Sequence, residues 1–255
     1  MMQRLRERRP LILGTIGTLI LVMLWEAASH YSWINPFFIS RPSLISEAFL
    51  RQLNSGQLAV DFWVSFQEFL IAISASFIVG VGLGLLMGAY RSLEGLFDPY
   101  VWFLYSAPLI AFYPLFIMWL GLGSKTVVAI AFLLAFIPIL TNTVLGVKLA
   151  DPLLIKAARS FGASQREIFL KIALPASVPV IVAGLRLGIG RALIGVVIGE
   201  FFGANAGLGY RLNFYGARLK VTDFFVPILV IAVMGVLFTQ IIRLAENRML
   251  FWKGD

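Results

Sequence analysis

Six long apolar stretches divide the chain, roughly Leu11–Trp25, Phe69–Tyr90, Tyr100–Leu120, Val127–Val147, Ala173–Phe202 and Phe224–Ile242. A helix needs about 20 residues to cross the hydrocarbon core of a bilayer, and most of these stretches reach that length. The first does so only when extended to Ser29, which brings Glu26 near its outer end. None shows the sustained alternation of a barrel strand, so the pattern predicts an all-α polytopic membrane protein with about six transmembrane helices.

One polar, cationic segment interrupts this pattern between the fourth and fifth stretches: DPLLIKAARSFGASQREIFLKIALP, Asp151 to Pro175. Asp151 suits an N-cap and Pro152 the first helical position, where no amide donor is needed. Gly162 supplies the left-handed residue that ends this helix. Ser164 and Glu167 have the spacing of a capping box, so a second short helix starts at once, with Pro175 soon after it. The expected product is a helix–Gly–helix elbow that presents a shaped knob outside the bilayer.

Other interruptions are subtler. His30 to about Ala59 is polar and turn-rich, with Pro36, Pro42 and Gly56, and reads as an external linker with short helices. The second stretch carries Ser76, Gly80, Gly84 and Gly88 four residues apart, a small-residue stripe that permits close helix approach, within the chain or between subunits. The third stretch is expected to break at Pro108 and Pro114, and the fourth at Pro138 with Asn142 beyond it. Irregular backbone at membrane depth is tolerated only against protein or a water-filled cavity, so these spans are candidates to line a path; simple proline kinks are the alternative. The fifth stretch, about 30 residues or ~45 Å as a helix, must tilt or project. No internal repeat stands out.

Composition agrees with the pattern. Of 255 residues 60% are hydrophobic and 13% charged, with a mean hydropathy of +0.90, beyond the range of soluble domains. The net charge of +8 raises the question of nucleic acid, but its distribution answers it. With the N-terminus inside, thirteen Lys and Arg fall on the cytoplasmic side (Arg4, Arg6, Arg8, Arg9, Arg91, Lys148, Lys156, Arg159, Arg166, Lys171, Arg243, Arg248, Lys253) and six on the other (Arg41, Arg51, Lys125, Arg211, Arg218, Lys220). This positive-inside bias places both termini and the elbow in the cytoplasm. There are no cysteines and one histidine, His30, which leaves no disulfide, thiolate site or metal cluster. The basic start followed by an apolar run imitates a signal peptide; Glu26 and five further spans favour an uncleaved anchor.

Candidate chemistry is sparse. Gly121-Leu-Gly-Ser-Lys125-Thr126 imitates a phosphate-binding loop, but Ser124 and Trp119 occupy two positions where that loop needs glycine, so an external turn is expected. No nucleotide, metal or nucleophile signature is present. The chain itself is therefore not expected to be an enzyme or to hold a cofactor. Arg186, Arg191 and Glu200 fall in the fifth stretch, where charge is costly by at least ~2.5 kcal/mol and must face protein or water. The arginines either attract an anionic solute or serve the packing.

The residues Ala157-Ala158, then Gly162, then Ile172-x-Leu174-Pro175 resemble the EAA signature of ABC-importer permeases. With it, in the right order, come Pro108-Leu-Ile-Ala-Phe-Tyr-Pro114-Leu, Trp119-Leu-Gly121-Leu-Gly-Ser-Lys125, Asn142-Thr-x-x-Gly146-Val, Gly184-Leu-Arg186-Leu and Gly207-Leu-Gly209-Tyr210. Together these are similar to the nitrate/taurine (sulfonate, bicarbonate) branch of type I importers, over roughly Asp61 to Ala245. The resemblance implies an N-terminal unit 1–60, a transmembrane domain 61–245 with a coupling helix about 151–175, and a cytoplasmic tail 246–255. It implies a dimeric pore, more readily a homodimer than a heterodimer, in a bacterial inner membrane. Two cytoplasmic ATPase subunits that bind ATP and Mg, and an external solute-binding protein, are its implied partners. Lys156, Ala157, Ala158, Arg159, Gly162, Ala163, Leu174 and Pro175 then belong to ATPase coupling; Pro108, Pro114, Asn142, Arg186, Arg191 and Glu200 are candidates for the solute path. Lys156 stands where the signature has Glu, which reverses that charge. The cargo expected is a small anion such as nitrate, a sulfonate, bicarbonate or an organic acid. An ion-coupled transporter with Glu200 as coupling carboxylate, or a membrane scaffold, are the competing readings.

Overall fold

The computed structural model describes residues 2–249 apart from 32, 34, 36 and 37. Pro36, Lys253 and most of the tail 246–255 lie outside the described residues, as do the side chains of Arg4, Arg6, Arg8, Arg9 and Arg248. The described residues form helices and no strand: α1 (Met2–His30), α2 (Pro42–Asn54), α3 (Gln57–Ala89), α4 (Arg91–Ser106), a 3-10 turn (Leu109–Phe112), α5 (Tyr113–Leu120), α6 (Ser124–Lys148), α7 (Pro152–Ser160), α8 (Gln165–Ile168), a π turn (Phe169–Ala173), α9 (Leu174–Gly203), α10 (Leu208–Gly216) and α11 (Val221–Met249). Five helical stretches are long and apolar enough to cross a membrane: Leu13–His30, Gln57–Ala89, Ser124–Lys148, Gln165–Gly203 and Val221–Leu244. A sixth span requires counting α4 with the helix after it, and these two meet at 87°. α3 begins four residues before the boundary expected at 61, and α11 continues beyond that expected at 245.

The prolines act differently from the expectation in two of three places. The third stretch does break at Pro108, where α4 has ended and the chain turns. Pro114 breaks nothing; it lies in the first turn of α5, where a missing N–H costs nothing. α6 passes through Pro138 unbroken. Asn142 Nδ2 donates to the Pro138 carbonyl at 2.8 Å and Thr141 Oγ1 to that of Ile137 at 3.0 Å, so polar side chains bond the helix's own backbone in the turn that follows the proline.

α6 is the central helix, gripped by α3 on one side and α9 on the other. Glycines set the distance. A Cβ on Gly84 would stand 2.6 Å from the Cβ of Thr143, one on Gly88 2.6 Å from that of Val147, and one on Gly80 3.0 Å from Ile139 Cγ2. Ser76 adds a hydrogen bond across the seam, to the Phe132 carbonyl at 2.9 Å. The small-residue stripe of α3 is therefore spent on contact within the chain. On the other side, Gly195 would place a Cβ 2.5 Å from Ala131 Cα, and Gly184 2.7 Å from Asn142 Cβ. Phe69, Ala72, Val127, Ala135, Ile139, Ile189 and Val196 fill the core between these three helices.

α1 stands nearly clear of this bundle. Its lower turns expose Leu13, Ile16, Leu19, Ile20 and Met23, and it is held near one end. There Glu26 accepts from the Ser43 amide and hydroxyl at 3.0 and 2.7 Å, His30 shares a hydrogen bond with Arg41 at 3.0 Å, and Trp25 packs on Phe225. Apolar side chains also lie bare along α3 and α11. Such continuous apolar surface suits lipid or another membrane helix.

Candidate coupling site and solute path

The elbow is built as its cap residues dictate. Asp151 Oδ1 accepts from the Leu153 amide at 2.7 Å, with Pro152 beginning α7. At the far end Gly162 takes φ of +80°. The Ala163 amide reaches back to the Ala158 carbonyl at 3.0 Å and the Gly162 amide to that of Arg159 at 2.9 Å. This is a Schellman closure, which stops α7 and turns the chain sharply. Ser164 and Glu167 then form a full capping box: the Ser164 amide donates to Glu167 Oε2 at 3.0 Å, and the Glu167 amide to Ser164 Oγ at 3.3 Å. Lys171 adds an ion pair to Glu167 at 3.2 Å.

The second arm differs from the short helix expected. α8 does not stop near Pro175 but runs through the π turn into α9, as one stretch from Gln165 to Gly203. Pro175 falls in the first turn of α9. The widened π turn carries the chain past the residue that lacks an amide. The second arm of the elbow is thus continuous with the long apolar helix α9.

α7 buries no residue. Leu153 and Leu154 are exposed, and Phe161 is 91% exposed at the tip. Lys156, Ala157, Arg159 and Gly162 are exposed as well, Ala158 and Ala163 partly so, and Leu174 and Pro175 sit at the foot of the rod. Ile155 and Phe169 turn inward, onto Val147, Ala150 and Ala173, and Ile168 of α8 is buried. A small capped helix that shows leucines and a phenylalanine to solvent has the surface of a docking element. Beside it, Lys148 at the end of α6 is ion-paired with Glu94 of α4, which ties the elbow's base to the first arm of the bent pair.

The residues proposed for a path separate into three groups. Pro108 and Pro114 mark the bent pair and are exposed. Asn142 bonds its own helix and packs against Gly184. Arg186 of α9 is ion-paired with Glu246 of α11, and Glu200 is wholly buried, accepting from Ser65 Oγ and from the Gly209 amide, each at 2.6 Å. Arg191 is the exception. It is exposed and has no partner among the described residues, on a face of α9 where Leu187, Gly190 and Ile194 are also exposed. A guanidinium in an apolar stripe at membrane depth must meet water or another protein surface.

At the end of the bundle opposite the elbow, the sequence reading missed a polar stripe. Asp61, Ser65 and Glu68 lie on one face of α3 and are all buried. Asp61 accepts from the Gly207 amide at 3.1 Å and is ion-paired with Arg211, while Ser65 Oγ accepts from the Leu208 amide at 2.8 Å. With Glu200, these groups clamp the loop 204–207 and the start of α10 onto α3 and α9. Spacings of four and three in an apolar helix were the signal available in the sequence.

Similarity searches agree with this architecture. Residues 80–251 match the family described as the binding-protein-dependent transport system inner membrane component. A putative ABC transporter permease of Methanocaldococcus jannaschii is 32% identical over 91% of this chain and 88% of its own. The taurine transport system permease TauC of Escherichia coli K12 is 29% identical over 99% of this chain and 95% of its own. Among solved structures, the MetNI methionine ABC transporter in inward-facing conformations aligns over 80% of this chain and 99% of that one, at a TM-score of 0.61 and 19% identity, which bears on the fold alone. Five or six apolar spans around a central helix, with a capped elbow outside them, define a multi-pass transport protein. The chain belongs to the binding-protein-dependent transport permeases and is a membrane subunit of an ABC transporter. That assignment favours the ATP-driven reading over the ion-coupled and scaffold ones.

Proposed function

We propose that this permease is an importer subunit whose elbow docks in a cytoplasmic ATPase and whose α9 rod carries the resulting movement to the opposite face. The carrying observation is the exposed, doubly capped elbow, continuous with a membrane-crossing helix. In this reading both termini and the elbow are cytoplasmic, supported by the thirteen-to-six distribution of basic residues. ATP and Mg are bound by the ATPase; this chain supplies no phosphate-binding loop.

The cargo is a small anion delivered by an external binding protein. Two relatives are named for taurine and for aliphatic sulfonates, in Escherichia coli and Bacillus subtilis, and Arg191 offers a positive charge with no partner among the described residues. A second copy of the chain completes the pore and covers the exposed apolar faces. The test is purification from native membranes. An ATPase recovered in stoichiometric amount, lost when Leu153, Leu154 and Phe161 are replaced by Asp, is the expected result. A complex that survives those replacements would exclude docking at the elbow.

A further inference from the structure

Glu68 is the buried group that the fold leaves unserved. It is 3% exposed, and neither carboxyl oxygen makes a hydrogen bond of proper geometry. The polar groups beside it are the Ser124 hydroxyl at the start of α6 and the carboxyl of Glu200. Glu200 is itself fully buried, its oxygens taken by Ser65 and the Gly209 amide. Two buried carboxyls therefore sit side by side, about 16 Å along α3 from its first residue.

No cationic side chain neutralises them among the described residues. Arg211 of α10 is engaged by Asp61. Lys125 of α6 is exposed, and Arg191 lies about 13 Å back along α9. The remaining titratable groups at this level bring no positive charge: Tyr113 of α5 donates its hydroxyl to the Gly199 carbonyl at 2.7 Å, and α10 adds Tyr210 and Tyr215. Two adjacent buried carboxylates without a counter-charge repel one another and each forfeits hydration.

We propose that Glu68 and Glu200 form a site for one positive charge drawn from solution, a proton bridging the carboxyls or a small alkali cation held between them and Ser124. The occupied site joins α3, the end of α9 and the start of α6. It lies directly beneath the clamped loop 204–207, where the Gly123 amide also meets the Gly203 carbonyl at 2.8 Å. When the charge leaves, repulsion opens this junction and frees the loop. The inference does not depend on the elbow or on the cargo.

Melting of the purified full-length protein, in buffers matched for ionic strength, tests it. One series varies pH in choline chloride; another holds pH and replaces choline with sodium or potassium. The wild type is expected to gain roughly 5 °C at the occupied end of one series. A gain on lowering pH assigns the proton, and a gain with sodium or potassium assigns the alkali ion. Glu68→Gln keeps the shape but removes one charge, and loses this dependence. Glu68→Arg supplies the positive charge internally and becomes insensitive to both. A wild type no more responsive than Glu68→Gln overturns the proposal. If neither variant folds, infrared spectra of the wild type decide. A carboxylic-acid carbonyl band persisting at neutral pH, or carboxylate bands shifted by alkali ions, supports the site; the absence of both overturns it.

Discussion

Asp61 of α3 and Arg211 of α10 form an ion pair across 150 residues of sequence, with Asp61 2% and Arg211 14% exposed. The pair also positions a backbone: Asp61 receives the Gly207 amide, the residue that opens α10. Breaking such a buried pair on one side leaves a charge without a partner, at a cost of about 3–5 kcal/mol. Arg211→Met is therefore expected to lower the melting temperature markedly, and the double variant Asp61→Asn, Arg211→Met to recover much of the loss. A double variant no better than the single one would show that the carboxylate is not what Arg211 satisfies.

The glycine seams should be equally unforgiving. Gly195 faces the backbone of Ala131, and that atom cannot move without moving α6. Gly195→Leu is expected to cost about 1–3 kcal/mol or more and to reduce yield of folded protein. Gly190, which has nothing within 4 Å of its absent Cβ, is the control on the same helix. Gly190→Leu should leave the melting temperature near that of the wild type; equal damage at both sites would mean that packing against α6 is not the cause.

Local chemistry was legible in the sequence and distant pairing was not. The caps at Asp151, Gly162 and the Ser164–Glu167 box act over two to five residues, so their geometry follows from residue type and spacing alone. Pro175 illustrates the limit: a local rule ends the helix there, but the apolar run behind it and the π turn carry the helix through. The α3 stripe announced close packing, yet α6 as its partner is a property of the whole bundle. Glu68 and Glu200 are separated by more than a hundred residues, and nothing local in either segment says they meet. For the same reason Arg186 could be read as a path or a packing residue, since its partner Glu246 comes from α11.

The elbow's turn offers a sharper test of coupling. Gly162 sits at φ of +80° and its amide bonds the Arg159 carbonyl. Proline can adopt neither that angle nor that bond. Gly162→Pro should leave the spans folded while disordering the knob, lowering solute-stimulated ATP hydrolysis by about tenfold or more, as the loss of ~1.4 kcal/mol of coupling produces. Wild-type stimulated hydrolysis in this variant would count against the elbow as the docking element.

Orientation can be read by labelling, since the chain has no cysteine of its own. Glu47, Asn205 and Lys220 are exposed at the end opposite the elbow, and Ser160 is exposed on α7. Ser40, by contrast, is buried and bonded to Thr222 at 2.8 Å, and would label poorly on either side. Cysteines at the first three positions should react with an impermeant reagent in intact cells, and Cys at 160 only after permeabilisation. The reverse pattern would invert the proposed topology.

Arg191 and Arg186 provide a matched comparison on one helix. Arg186 has its counter-ion in Glu246, so Arg186→Gln should weaken the α9–α11 contact and lower stability. Arg191 has no partner among the described residues and stands exposed on α9 between apolar neighbours. With the proposed second copy facing it across the pore, this guanidinium would concentrate anions there. Arg191→Gln should then keep the melting temperature and the assembly but reduce transport of an anionic solute by roughly tenfold at low solute concentration. Arg191→Lys separates two modes of action. Retained transport indicates attraction by charge alone, whereas loss indicates a bidentate contact that only the planar guanidinium makes. Assembled Arg191→Gln protein that transports at the wild-type rate would remove this residue from the path.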